Sequence, residues 1–156
     1  MDWLPILHFV HVMAGVIWAG GAIAMAFMVY PAFFEQDRET ILKFQHSWGK
    51  RAARLMGVSG SLILITGPLR AWVGGGISSF DDLTSSYGLL VVGAFALVLV
   101  HTFIGVFERR RIQAIIEANV EPQPLLRPLA RQMMLVTGAA MAAIVAIMIA
   151  MGLGLY

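Results

Sequence analysis

The chain has 156 residues, 59% hydrophobic and 13% charged, with a mean hydropathy of +0.80. Soluble domains carry about a quarter charged residues, so this balance describes an integral membrane protein whose first partner is the lipid bilayer. With no cysteine and a net charge of only +2, disulfides, thiolate chemistry and Cys-ligated metals are excluded, and nucleic acid is not an expected partner.

Four apolar runs reach the length that crosses a bilayer, over about 4–30, 53–73, 87–107 and 133–155. They predict one transmembrane domain over 1–156, an all-α antiparallel four-helix bundle. Met1-Asp2-Trp3 lacks the basic start of a signal peptide, so the first run reads as a retained span, ended by Pro31. Within it His8, His11, Gly15, Trp18, Ala22 and Met25 recur at spacings of three and four and share one helical face. Val12, Val16, Ile23 and Phe27 fall on the lipid side. An imidazole inside a span is costly unless it meets protein, water or a bound ion, which makes His8 and His11 the first candidates for function.

The segment after the first span, FFEQDRETILKFQHSWGKRAAR, spaces Ile41, Phe44 and Trp48 as an interfacial amphipathic helix does, with His46 in solvent. Pro68 is expected to kink or end the second span. GGGISSFDDLTSS then reads as a Gly- and Ser-rich turn with two aspartates. Past the third span, ERRRIQAIIEANVEPQPLLRPLAR predicts a helical extension followed by a Pro-broken connection. No carboxylate reads as lying within a span.

Arg38, Lys43, Lys50, Arg51, Arg54, Arg109, Arg110, Arg111, Arg127 and Arg131 flank the first and third connections, and only Arg70 lies elsewhere. This asymmetry predicts those connections to be cytoplasmic and both termini to face away, in a bacterial-type inner membrane.

With span centres near Ile17, Ile63, Leu97 and Ala143, the helical rise gives each polar group a depth. His11 falls about 9 Å, His8 about 13 Å, Met148 about 7 Å, Met151 about 12 Å and Arg70 about 10 Å toward the termini. His101 falls about 6 Å the other way.

The first five form one constellation. Imidazole with thioether suits Cu(I), and it also suits haem iron with His/Met or His/His axial ligands. Arg70 is placed to neutralise a haem propionate, or to pair with Asp81 or Asp82. The second constellation is His101, where Ala94 and Gly105 leave room for a flat cofactor and Arg51, Arg54 and Arg109 stand ready for propionates. Met134, Met141 and Met148, spaced by seven, read as bundle packing, and Trp18 as core or as the wall of a ring site. Trp3, Trp48 and Trp72 read as interfacial anchors.

His11-x6-Trp18-x-Gly20-Gly21, followed by Pro31, then Arg51-x2-Arg54 and Thr66-Gly67, resembles the CopD-like membrane proteins associated with copper handling. The first span, the basic start of the second and His101 before the arginine run also resemble HemJ-like protoporphyrinogen oxidases, which bind haem b. The resemblance implies a role for His11 in both families and for His101 in the second. The third-span lysine of the HemJ-like pattern has no counterpart from Tyr87 to Val100, and its Pro-Arg pair is here Pro31-Ala32. The resemblance therefore implies cofactor binding and leaves the oxidase reaction open.

Together these readings predict a haem b redox protein for electron transfer, with His11 and His101 as ligands of one iron or of two. A copper-handling protein using His8, His11, Met148 and Met151 is the alternative. A cofactor-free subunit of a larger membrane complex or homo-oligomer is the third.

The chain has no native cysteine, so a single introduced one reports topology. In sealed cells, Ser79→Cys is expected to react with an impermeant maleimide, and Ser47→Cys only after lysis. The reverse pattern would overturn the orientation.

Overall fold

The computed structural model describes residues 3–118 and 120–155; Met1, Asp2, Asn119 and Tyr156 lie outside them. Four helices long and apolar enough to span a membrane account for most of the chain: α1 (Leu4–Phe33), α2 (Arg38–Val73), α3 (Ser86–Glu117) and α4 (Gln123–Gly152). Among the described residues there is no strand.

The helices pack in chain order around a ring, α1 against α2, α2 against α3, α3 against α4, and α4 back against α1. The α1–α2 contact is the closest and is built on glycine. A Cβ on Gly60 would stand 3.1 Å from Trp18 Nε1, and one on Gly67 would stand 3.3 Å from His11 Cε1. These partners run in opposite directions along the two helices, which fixes an antiparallel register. Val12, Val16, Ile23 and Phe27 are exposed as their spacing predicts, in a belt of outward apolar side chains that suits lipid. Ten of the eleven basic residues gather at one end of the bundle, called here the basic end; the start of α1 at Leu4 and the end of α4 at Gly152 lie toward the other.

The helices are longer than hydropathy predicts, and prolines account for part of the difference. Pro31 does not end α1. It cannot donate to the carbonyl of Phe27, but a π-turn over Met25–Val29 widens the helix just ahead, Tyr30 donates to Met25, and the helix continues to Phe33. Likewise α2 runs through Pro68 to Val73. The predicted amphipathic helix is not a separate interfacial element. It is the start of α2, joined to the span through a second π-turn, Gln45–Gly49, in which His46 is exposed. The Pro-broken connection shrinks to 118–122, because Pro124 sits in the first turn of α4, where no N–H is needed, and Pro128 is carried inside the helix.

These extensions form the driest core of the molecule. Phe34, Ile41, Ile112, Ile116, Leu126 and Met133 pack together at the basic end. Ile41 is 0% exposed. Its helix is started by Asp37, which accepts from Thr40 N at 2.9 Å. Arg38 donates to the carbonyls of Ile116 at 2.9 Å and Glu117 at 3.3 Å, satisfying the C-terminus of α3 with a cation. Arg127 grips Glu35 through two nitrogens, and Gln123 Nε2 donates to Gln36 O at 2.9 Å.

At the opposite end the turn after α2 uses Gly75 at φ +74°, a conformation other residues rarely adopt. Asp82 then accepts from the backbone N–H groups of Ser78 and Ser79, both at 2.7 Å, which holds its carboxyl below the usual carboxylate range.

Ile41→Ala is expected to cost about 2–4 kcal/mol, since nothing near this buried site can fill the cavity. Glu39→Ala, which removes the exposed ion pair to Lys43, is expected to stay within about 0.5 kcal/mol. Denaturant unfolding in detergent compares the two, and equal effects would contradict the buried position of Ile41.

Candidate functional site

Trp18 divides the interior of the bundle. Buried to 4% exposure, it packs with Ala22, Val98 and Met141 and lines two cavities, one on each side. The upper cavity, toward the termini, has a volume of about 330 Å³. The lower, toward the basic end, has about 280 Å³. Both are close to the size range of small-molecule sites.

The upper cavity brings together His11, Arg70, Met148 and Met151, with Gly15 and Gly67 beside them and Ile63, Val98 and Ile144 in the wall. His11 is held by a two-step hydrogen-bond chain. Thr66 Oγ1 gives its only hydrogen to Leu62 O at 2.6 Å. The Nδ1 of His11 lies 2.8 Å from the same oxygen. A hydroxyl already donating elsewhere accepts here, so Nδ1 carries a proton and, in the neutral ring, Nε2 keeps a lone pair. Metal-binding histidines are oriented by just such a second partner on the other nitrogen.

The lower cavity holds His101, Tyr30, Glu108 and Arg109. His101 stands edge-on to Trp18, ring centres 5.5 Å apart at 88°. Its Nδ1 is buried with no hydrogen-bond partner, and so is Oε1 of Glu108. Glu108 is 9% exposed and lies seven residues after His101 on the same face of α3. Arg109 donates to Gly49 O at 3.4 Å across the mouth between α3 and the second π-turn.

Of the residues read from sequence, His11, Arg70, Met148 and Met151 converge as their depths predict. His8, although on the same predicted face, is exposed and lines neither cavity. Arg51 and Arg54 are also exposed and line neither; Arg109 is the arginine at the lower cavity. Ala94 borders the upper cavity and Gly105 the lower, so they do not flank one common site. His11 and His101 lie on opposite sides of Trp18 in different cavities.

Arg70 takes no part in the ion pairs among the described residues, Lys43–Glu39 and Arg127–Glu35, because Asp82 is turned back onto its own loop. Met141 is core packing, as its spacing predicts, while Met148 reaches the upper cavity. Among the described residues no three His, Cys, Asp or Glu side chains converge.

Glu108 is the functional candidate that sequence reading misses. It opens the ERRR run just past the predicted end of the third span, and so looks like part of a solvated charged surface. Its spacing to His101, Ile112 and Ile116 is the pattern that marks a buried face.

No protein-family model matches the chain, and neither curated proteins nor solved structures gave a match.

In ligand-free protein, nitrogen NMR of labelled histidine is expected to show His11 protonated at Nδ1 and bare at Nε2. Thr66→Val is expected to abolish that single-tautomer state and Thr66→Ser to keep it. The Nε2–H tautomer in the parent protein would refute the assignment.

Proposed function

We propose that this protein binds haem b in its upper cavity and serves as a membrane-embedded electron carrier. The observation that carries the reading is the convergence of one imidazole, two thioethers and one guanidinium on a single apolar cavity within the spans. The residues fit the group. His11 offers Nε2 with its ring already oriented by Thr66, and α4 offers Met148 or Met151 as the second axial ligand. Arg70 at the same level suits a propionate. Gly15 and Gly67 add no side-chain bulk where the ring must enter. Haem, when bound, supplies a one-electron couple whose potential is set by axial ligation and burial.

Two histidines in separate cavities favour His/Met ligation by His11 over a His11–His101 pair. The positive-inside asymmetry favours the basic end as the cytoplasmic one.

A second reading rests on the donor set alone. One neutral imidazole with two thioethers is a soft site that selects Cu(I), and copper handling follows from it. A cavity of about 330 Å³ walled by aliphatic side chains exceeds what one ion needs.

Protein purified in mild detergent after expression with haem supply is expected to show a Soret band and bound iron. His11→Ala is expected to lose both, whereas His8→Ala and His101→Phe keep them. Loss of one axial thioether by Met148→Leu or Met151→Leu is expected to turn a low-spin spectrum high-spin. Absence of Soret absorption and of iron would overturn the haem reading, and copper retained without porphyrin would establish the second.

A further inference from the structure

The lower cavity has no role in the haem reading, yet among the described residues it carries the two buried side-chain polar atoms without a partner. His101 Nδ1 and Glu108 Oε1 are both buried without a partner, and both residues line this cavity. Leaving such atoms unpaired is costly. With Glu108 as a carboxylate, which only accepts, and His101 carrying its proton on Nε2, which leaves Nδ1 to accept, the cavity presents two acceptors and suits a ligand with two donors.

Both residues lie on one face of the same helix, and seven residues advance about 10.5 Å along its axis, so the ligand that addresses both is on the scale of one small ring with polar groups at opposite ends. Most of the remaining lining is apolar or aromatic, including Phe33, Phe44 and Trp48, with Gln45, Thr102, Arg109 and Thr137 among its polar members.

The route in is lateral. Gly57 on α2 and Gly105 on α3 line the cavity and are themselves exposed, and a Cβ on either would meet nothing within 4 Å. The cavity therefore reaches the bundle surface between α2 and α3, where lipid surrounds the spans. Both π-turns border it as well, through Met25 and Ala26 on α1 and Gln45, Trp48 and Gly49 on α2. Such turns recur at functional sites because they displace side chains from regular helical positions.

We propose that the lower cavity binds a lipid-soluble hydroquinone, its two para hydroxyls donating to His101 Nδ1 and Glu108 Oε1. The oxidised quinone has acceptors only and opposes both residues, so the site selects the reduced form. Oxidation of the ring breaks two O–H bonds and releases two protons and two electrons. His101 and Glu108 stand where the protons leave, one at each oxygen. Haem in the upper cavity, if bound, would supply a one-electron acceptor on the far side of Trp18, which lines both cavities; one ring oxidation would then take two such transfers, with a one-electron acceptor outside the protein re-oxidising the iron between them. This electron path rests on the haem reading; the binding does not.

The test uses the full-length protein in nanodiscs under anaerobic conditions. Retention of a radiolabelled short-tailed hydroquinone is compared with empty discs, with the matching quinone and its dimethyl ether as competitors. Saturable retention is expected, with both competitors at least about tenfold weaker than unlabelled hydroquinone, as loss of a hydrogen bond to a buried group implies. Glu108→Leu and His101→Phe are each expected to weaken binding about tenfold or more. Glu108→Leu, which removes the acceptor, serves as the deciding variant if the His101 change prevents folding. His11→Ala, expected to lack haem, is expected to bind hydroquinone like the parent.

No retention above empty discs, equal competition by the ether, or unchanged binding in Glu108→Leu would each overturn the proposal. A Soret band without hydroquinone binding would sink this inference alone, and binding without a Soret band would sink the haem reading alone.

Discussion

The close seating of two α1 rings on two α2 glycines is the constraint from which the rest of the interior follows. Lipid tails give helices no hydrophobic reason to associate, so contact must come from shape. Trp18 over Gly60 and His11 over Gly67 supply that shape. Larger residues at 60 and 67 would push α2 away and remove the wall against which His11 finds Thr66. From its seat on Gly60, Trp18 also crosses the bundle to reach His101 and Met141. One indole thereby sets a helix register and partitions the interior.

That partition explains how the polar groups are distributed. Each cavity holds one histidine and one arginine, and each lies among apolar walls. They differ in how far the polar groups are satisfied by protein. In the upper cavity a hydroxyl fixes the imidazole before any ligand arrives. In the lower cavity the imidazole and the carboxylate have unpaired atoms. An imidazole oriented by a hydroxyl on one side of Trp18 and two unpaired polar atoms on the other are different chemical environments within one bundle.

The sequence makes the spans legible because hydropathy is a bulk property that tolerates errors of several residues. The level of each polar group is legible too, since helical rise converts residue number to height; His11, Arg70, Met148 and Met151 meet as that ruler says. Azimuth is what the ruler lacks. His8 shares the predicted face of His11 yet is exposed, and Arg51 and Arg54 sit at the right end but outside the site that Arg109 enters. Helix ends were misread for a related reason. A π-turn absorbs Pro31, and no local pattern in Met25–Val29 announces it. Glu108 was hidden by its arginine neighbours, because charge runs are read as surface and one buried member does not change the average.

The bonds at the basic end have a mechanical meaning. Arg38 ties α2 to α3, Arg127 ties α4 to the corner after α1, and Gln123 reaches the same corner. With Phe34, Ile41, Ile116 and Leu126 packed inside that belt, the four helices are clasped at one extremity like the legs of tongs. The turn at Asp82, at the other extremity, is bonded mainly to itself. The clasp therefore fixes the spacing of the helices beside the lower chamber, whose lining includes Phe34, Ile112, Ile116 and Met133 from that same packed core.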